Sequence, residues 1–337
     1  MNAPQNILII KHGALGDIIM ATGAFAAIRA QHTTAHIVLL TTKPFAELLA
    51  QSPYFNEIWV DSKPRWRDRK AIGRLRAMLR SKRFAWVYDL QASKRTTLYQ
   101  WLLPHPWPNI SNRSRFASHT RPTYDATRHT LANLQAQLKV AGIVEVGGPD
   151  VAWMNEDTTG LFKQIEFSGW HIREWNDFLD AYDTSEARPY ALLVPGGAPH
   201  RPEKRWPAEQ YASLASELVS RKITPVLLGT KAEADVLESI AARVPQAVNL
   251  GGKTSIAQLA TLGRGAALAV GNDTGPMHVI AASGCPALTL FSAASDPART
   301  APLGVSASTL READLRNLSV DRVLVALPQP RISKPSP

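Results

Sequence analysis

The sequence predicts an α/β protein made of two doubly wound, parallel-sheet domains. Three observations carry this: a length of 337 residues, a 45% hydrophobic content, and short β-rich runs that alternate with helical patterns twice over. A chain of this size and apolar content is long enough for two cores of ordinary dimensions.

The first set of strands reads as ILII (7–10), HIVLL (36–40), EIWV (57–60) and WVYDL (86–90). The rhythm restarts at YALLVPG (190–196) and continues through TPVLLG (224–229), AVNLG (247–251), ALAVGN (267–272) and PALTLF (286–291). Strands separated by helix-length segments pair in parallel through crossover connections. Between the two sets, PHPWPNI reads as a loop, HTLANLQAQLKVAGI as a helix ended by Gly142, and VEVGGPDVAW as a loop with at most a short strand. The domains are expected at 1–185 and 186–327, with a linker near Asp183 to Pro189 where turn formers and charges mix. The proline-rich tail 328–337 is expected to be disordered.

Composition excludes several function classes. Cys285 is the only cysteine, so internal disulfides and metal sites built on paired cysteines are ruled out. No apolar run approaches the roughly 18–20 residues needed to span a bilayer, and the start MNAPQNILIIKHGALGD lacks the pattern of a secretory signal, so a cytoplasmic location is expected. The net charge of +10 is concentrated. Between Lys63 and Arg83, Lys or Arg stands at 63, 65, 67, 69, 70, 74, 76, 80, 82 and 83 against Asp68 alone. Ala71, Ile72, Leu75, Met78 and Leu79 recur through the same stretch at helical spacing, which gives a surface helix with one apolar and one strongly basic face. A solvated face and a dock for something anionic both fit. Concentration in one segment, with Trp66 beside it, favours an anionic membrane face or acidic substrate over a distributed nucleic-acid footprint.

Three segments carry chemistry. In KHGALGDIIMATGAFAAIR, Gly13 and Gly16 make a strand-to-helix turn and Asp17 stands at the helix start, where α/β sheets bind ligands. The spacing is G-x-x-G rather than G-x-G-x-x-G and no Walker lysine follows, which disfavours a nicotinamide dehydrogenase. Two readings of Asp17 remain open: an N-terminal acid that stabilises its helix, or a general base that takes the proton of an attacking hydroxyl. In VPGGAPHRPEKRWPAEQYASLASEL, Gly196 and Gly197 allow close backbone approach to a ligand, and Lys204 and Arg205 stand just before a helix starting near Pro207. Cations there suit a diphosphate leaving group, whose developing negative charge they stabilise; solvated loop charges are the alternative. In VGNDTGPMHVIAASG, Asp273 can cap, Pro276 lies in the first turn and Gly284 stops the helix. The N–H groups at Thr274 and Gly275 suit an anion, Asp273 suits sugar hydroxyls, and His278 is either a ligand neighbour or a core residue. No two aspartates are two apart, and no His-Glu-x-x-His or Cys/His cluster occurs, so no metal or cofactor is expected.

These three segments, in this order and spacing, resemble the bacterial ADP-heptose:lipopolysaccharide heptosyltransferases, glycosyltransferase family 9, over about residues 6–327. IKHGALGDIIMATGAFAAIRA, EKRWPAEQYASLA and VGNDTGPMHVIAASGCPALTLF followed by SDP carry the likeness, and DLQASKR and GIVEVG add to it. The resemblance implies a GT-B architecture, two Rossmann-like domains facing a central cleft, with inversion at the anomeric carbon and no metal. It implies Asp17 as base and Lys204 as the cation on donor sugar or phosphate. Gly196, Gly197, Arg205, Asp273, Thr274, Gly275 and His278 complete the donor side, with Glu233 reaching the adenosine ribose. The acceptor side is assigned to Gly13, Gly16, Arg65, Arg67, Gln91 and Arg95. The implied partners are a nucleotide-sugar donor such as ADP-heptose, an anionic glycolipid acceptor and the inner membrane face, with no nucleic acid. The sequence departs from some relatives at Gly13-Ala14 and at Gly196-Gly197-Ala198, where serine or other hydroxyl residues occur in the family.

Overall fold

Asn6–Ile10 forms the central strand β1 because four of its five residues are apolar and can be buried on both faces, as a parallel sheet covered by helices requires. The computed structural model of the protein describes residues 5–120, 122, 124–167 and 189–331, arranged as two compact units, Met1–Trp153 and Met154–Pro337. In the first unit β1 is followed by α1 (Leu15–Gln31), β2 (His36–Thr41), α2 (Lys43–Ala50), β3 (Glu57–Val60), α3 (Arg69–Arg80), β4 (Phe84–Asp89), α4 (Lys94–Tyr99), β5 (Asn109–Ser111) and α5 (Thr130–Val140). The five strands pair in parallel in the order β3-β2-β1-β4-β5. The chain leaves β1 toward β2 on one side and returns to β4 on the other, so the C-terminal ends of β1 and β4 flank a topological switch point.

The predicted basic helix is α3, confined to Arg69–Arg80, and Lys63–Asp68 is a loop ended by the Asp68 carboxylate, which caps α3 by accepting from Ala71 N–H at 2.9 Å. Ala71, Leu75 and Leu79 are buried and the basic residues of the helix are exposed, so the amphipathic reading holds. PHPWPNI is not wholly loop: Asn109 and Ile110 begin β5, a three-residue edge strand. No strand forms in 144–153, and the helix before it ends where Gly142 takes φ 91° and Ile143 N–H turns back to Leu138 O.

The second unit contains α6 (Thr159–Phe167), β6 (Tyr190–Val194), α7 (Ala208–Ser220), β7 (Thr224–Leu227), α8 (Ala234–Arg243), β8 (Val248–Asn249), α9 (Ile256–Gly265), β9 (Leu268–Asn272), α10 (Gly275–Ala282), β10 (Ala287–Phe291), α11 (Pro297–Thr300), β11 (Ala307–Arg311) and α12 (Val320–Ala326). All six strands are parallel, in the order β11-β10-β9-β6-β7-β8, with the switch point between β6 and β9. Its core gathers Leu193, Leu227, Val270 and Leu290 from the sheet with Trp206, Tyr211, Leu214 and Leu237 from the loop and helices above. The last strand, β11, was not among the runs anticipated from the sequence.

The division between the units falls after Trp153. Met154–Phe167 packs with the second unit: Arg264 donates to Met154 O and Gln258 to Asp157 O at 2.8 Å, both from α9. The boundary anticipated at 185/186, and the linker at Asp183 to Ala187 and Arg188, lie outside the described residues. The start of the expected disordered tail is fixed in place, since Arg331 N–H donates to Ala267 O at 2.8 Å and its guanidinium reaches the carbonyls of Arg264 and Gly284. Residues 332–337 lie outside the described residues.

Strand β4 ends in Asp89, which is 2% exposed and accepts from Ala92 N–H at 2.8 Å to shape the β4–α4 turn. Burial outweighs that bond and pushes the carboxyl pKa up to about 6. Because the folded value lies above the unfolded one, stability from the protonated form is complete near pH 4 and is lost as pH rises toward 6. Asp89→Asn is therefore expected to be more stable than the parent at pH 8, by up to about 3 kcal/mol, in chemical denaturation. The difference should shrink to near zero at pH 4; an unchanged gap across this range would contradict the assignment.

Candidate active site

In the first unit the β1–α1 turn is fixed from three sides. Gln91 N–H donates to Ile10 O at 3.0 Å, His12 N–H donates to the Gln91 amide oxygen at 2.9 Å, and Thr42 Oγ1 donates to His12 O at 2.9 Å. Gly13 takes φ 101°, and a Cβ there would stand 2.3 Å from the Phe45 ring, so a side chain is excluded by both backbone and space. The turn delivers Ala14 to the N-cap of α1 and Gly16 and Asp17 to its first turn.

Asp17 does not cap. Ala14 holds that position with no side-chain bond, and the Asp17 carboxylate makes no hydrogen bond or ion pair among the described residues while remaining partly exposed. Negative charge in the first turn is favoured by the helix dipole, and an unengaged carboxylate at a strand-end switch point is free to accept a proton from a ligand. Its electrostatic neighbour is Lys11, 4% exposed, whose Nζ lies 3.4 Å from Leu90 O. Burial lowers the Lys11 pKa; Asp17 opposes this, Arg113 adds to it, and Asp89 opposes it in turn.

Behind this turn lies a buried polar cluster. His12 Nε2 stands 3.0 Å from Asp61 Oδ2, Tyr99 donates to the same oxygen at 2.6 Å, and Lys63 N–H donates to Asp61 Oδ1 at 2.7 Å. Burial alone would raise the Asp61 pKa, but these three bonds outweigh it and hold the carboxyl below its ordinary value. Arg95 donates to Pro64 O at 2.9 Å and lies 5.4 Å from the Trp66 ring centroid. The expected acceptor residues thus fall into two groups. Gly13, Gly16 and Gln91 build the turn, whereas Arg95 anchors the exposed loop that carries Arg65 and Arg67.

In the second unit the expected donor residues converge at the ends of the adjacent strands β9, β6 and β7. The organising side chain is Asn272, fully buried at the end of β9. Its oxygen accepts from Trp206 N–H at 3.0 Å and Tyr211 OH at 3.1 Å, while its nitrogen donates to Pro195 O at 2.8 Å and Gly196 O at 3.1 Å. Asn272 lies within VGNDTGPMHVIAASG but is not one of the site residues singled out there; its signal is an amide inside an otherwise apolar strand run, which has to be satisfied by partners from elsewhere.

Lys204, in a short 3-10 turn, donates from Nζ to Asp273 Oδ2 at 2.7 Å, with side chains 19% and 9% exposed. Asp273, whose position allowed it either to cap or to meet sugar hydroxyls, is not the cap: Thr274 is the N-cap of α10, without a side-chain bond, and the Asp273 carboxylate accepts from Lys204. The pair leaves two of the three ammonium donors for another ligand. The N–H of Gly275 lies in the first turn of α10, where no intrahelical acceptor exists, and His278 is 5% exposed on the same helix.

The glycine turn after β6 is already occupied by protein partners. Gly197 N–H donates to Glu233 Oε1 at 2.7 Å, and Glu233 Oε2 accepts from Thr230 N–H at 2.7 Å as part of a capping box. A Cβ on Gly196 would fall 1.8 Å from Glu233 Oε1, so only glycine permits this approach. Arg205 donates to Gly197 O at 2.8 Å and Ala198 O at 3.1 Å. Arg205 and the Gly197 N–H, both expected to face a diphosphate, hold the loop in this state instead. Replacing Asn272 with Ala should leave the Trp206 N–H and the Pro195 and Gly196 carbonyls without this partner, while Tyr211 OH keeps Val194 O at 3.3 Å, and lower stability by about 3 kcal/mol or more in thermal or urea unfolding. A loss below about 1 kcal/mol would show that the four bonds do not organise the site.

Comparison with known proteins gives the family. Residues 72–322 match the model of glycosyltransferase family 9 (heptosyltransferase). Lipopolysaccharide heptosyltransferase 2 of Salmonella typhimurium is 27% identical over 318 residues, covering 91% of this chain and 88% of that protein. The Veillonella parvula family 9 glycosyl transferase superposes with a TM-score of 0.76 at 21% identity, over 96% of this chain and 95% of that one. Escherichia coli ADP-heptose lps heptosyltransferase II gives 0.70 at 24% identity, over 95% and 97%. With the match spanning most of both units, the chain belongs to glycosyltransferase family 9, the heptosyltransferases.

Proposed function

We propose that the protein is an inverting, metal-independent heptosyltransferase that moves a heptose from ADP-heptose to an anionic lipopolysaccharide inner-core acceptor. The observation that carries this reading is the Lys204–Asp273 pair, 2.7 Å apart and mostly buried at the β6/β9 switch point. A buried ammonium held rigidly by one carboxylate presents its other protons to the diphosphate oxygen on which negative charge develops as the glycosidic bond breaks. That role needs no cation from solution.

The chemistry follows from the two carboxylates. The acceptor hydroxyl attacks the anomeric carbon, its proton passes to Asp17, and the electron pair of the breaking bond goes to the ADP leaving group. A single displacement of this kind inverts the anomeric centre. Asp17 suits the role because it is partly exposed and unengaged, whereas Asp273 is committed to Lys204 and Asp61 to His12 and Tyr99. The first turn of α10 and the loop held by Arg205 and Glu233 supply the rest of the donor contacts, with Glu233 released from Gly197 or shared with the ribose.

The relatives named above are lipopolysaccharide heptosyltransferases, and the exposed basic face of α3 fits the phosphates and carboxylates of such an acceptor or of the inner membrane leaflet. No described helix is long and apolar enough to cross a membrane, so contact with that leaflet is proposed to be peripheral.

Incubation with ADP-heptose and core oligosaccharides should yield a product one heptose heavier by mass spectrometry, with the anomeric configuration opposite to the donor's by NMR. Retention of configuration, or transfer only from a different nucleotide sugar in a donor panel, would overturn the reading. Asp17→Asn is expected to lower kcat by about 10²–10⁴-fold with little change in KM for the donor. Lys204→Met should lower kcat/KM by about 10²–10³-fold.

A further inference from the structure

The first unit also carries an exposed aromatic cluster that the transfer chemistry does not use. Trp101 is 51% exposed and Trp107 and Phe116 are 37% exposed. Trp101 makes edge-to-face contacts with both, at centroid distances of 4.9 Å and 5.7 Å. The rings pack on one another rather than into the core, and they flank the edge strand β5. Large apolar side chains gathered on a surface in this way mark a partner.

Cations are interleaved with the rings. The Arg113 guanidinium lies 4.3 Å from the Tyr124 centroid and that of Arg115 4.9 Å from the Phe116 centroid. From Lys94 to Thr120 the sequence contains Lys94, Arg95, Arg113 and Arg115 and no Asp or Glu. The basic helix α3 adjoins the same segment, since Arg80 donates to Leu102 O at 3.0 Å and Leu103 O at 3.4 Å. Exposed tryptophans beside one-signed positive charge are the composition of a bilayer interface, where amphipathic rings sit among headgroups and cations meet phosphates. Charge complementarity excludes a second copy of this face as its partner, because two like-charged patches would oppose each other.

We infer that the Trp101–Trp107–Phe116 cluster inserts into the headgroup layer of an anionic lipid bilayer, with α3 and Arg115 on the lipid phosphates. The inference deepens the membrane contact in the function proposed above and rests on that reading for its biological setting, but the surface itself is defined by the rings and charges.

The test is co-sedimentation of the full chain with vesicles of phosphatidylglycerol and phosphatidylethanolamine, alongside pure phosphatidylcholine. Binding is expected only to the anionic vesicles, weakened by salt, with tryptophan emission shifted to the blue. The W101S/W107S double variant should lose about tenfold or more in vesicle affinity, and R115E should also weaken binding. Both substitutions are at exposed positions, and an unchanged circular dichroism spectrum and melting temperature will verify folding. Equal binding by parent and both variants, equal binding to neutral vesicles, or a dimer that the double variant abolishes would overturn the inference. Transfer to a soluble, delipidated core oligosaccharide should be the same in parent and double variant. If the parent shows no such transfer, the proposed function fails while the vesicle result stands or falls separately.

Discussion

Four hydrogen bonds meet on the side chain of Asn272, and the arrangement of the second unit's strand ends depends on them. The amide ties the end of β9 to the carbonyls of Pro195 and Gly196 after β6 and to the Trp206 N–H and Tyr211 OH at the start of α7. A fully buried amide needs all of its partners, so each bond constrains the others. The loop carrying Lys204 is thereby set against the end of β9, after which Asp273 follows, and their 2.7 Å contact sits beside the Trp206–Asn272 bond, two residues after Lys204 and one before Asp273. Glu233 and Arg205 then close the glycine turn from outside.

The first unit solves a different electrostatic problem. It keeps one carboxylate available while burying several other charges nearby. The Asp61 carboxylate is stabilised in its charged form by bonds from Tyr99 and the Lys63 N–H and by His12 beside it, and Asp89 is held where the protonated form is favoured at mildly acidic pH. Lys11 is buried between the fields of Asp17 and Asp89, with its charge disfavoured by burial and supported by both. Asp17 alone among these carboxylates stays partly exposed without a bonded partner among the described residues. Position in the first turn of α1 gives it a favourable dipole without a capping duty.

The strands most legible in the sequence are those buried on both faces, although EIWV and AVNLG also pointed to the edge strands β3 and β8. Asn6–Ile10, His36–Thr41, Tyr190–Val194 and Ala287–Phe291 are nearly continuous apolar runs, and each lies where its run predicted. Asn109–Ser111 was hidden in a proline-rich stretch because an edge strand of three residues needs no hydrophobic run, and Ala307–Arg311 is an edge strand with polar and charged members. Site residues divided in the same way. Asp17, Lys204 and Asp273 stood out as candidates because strand-to-helix turns place them locally at strand ends. Commitment of Glu233 to Gly197 depends on a contact 36 residues apart, and that of Lys204 to Asp273 on one 69 residues apart. Local spacing cannot report such bonds, so Asp273 read as a partner for sugar hydroxyls rather than for Lys204, and the Gly197 N–H as a ligand donor. The bonds that Gln258 and Arg264 of α9 make to the carbonyls of Asp157 and Met154 are likewise 101 and 110 residues apart in sequence and invisible to local spacing.

The central claim is a division of labour, in which the second unit binds the nucleotide diphosphate and Asp17 of the first acts only on the acceptor. Calorimetric titration of ADP into the parent, Asp17→Asn and Lys204→Met, without acceptor, tests it most directly. The account predicts that Asp17→Asn binds ADP within about twofold of the parent and that Lys204→Met binds at least about tenfold more weakly. Loss of ADP affinity in Asp17→Asn equal to that in Lys204→Met, or undiminished affinity in Lys204→Met, would contradict it.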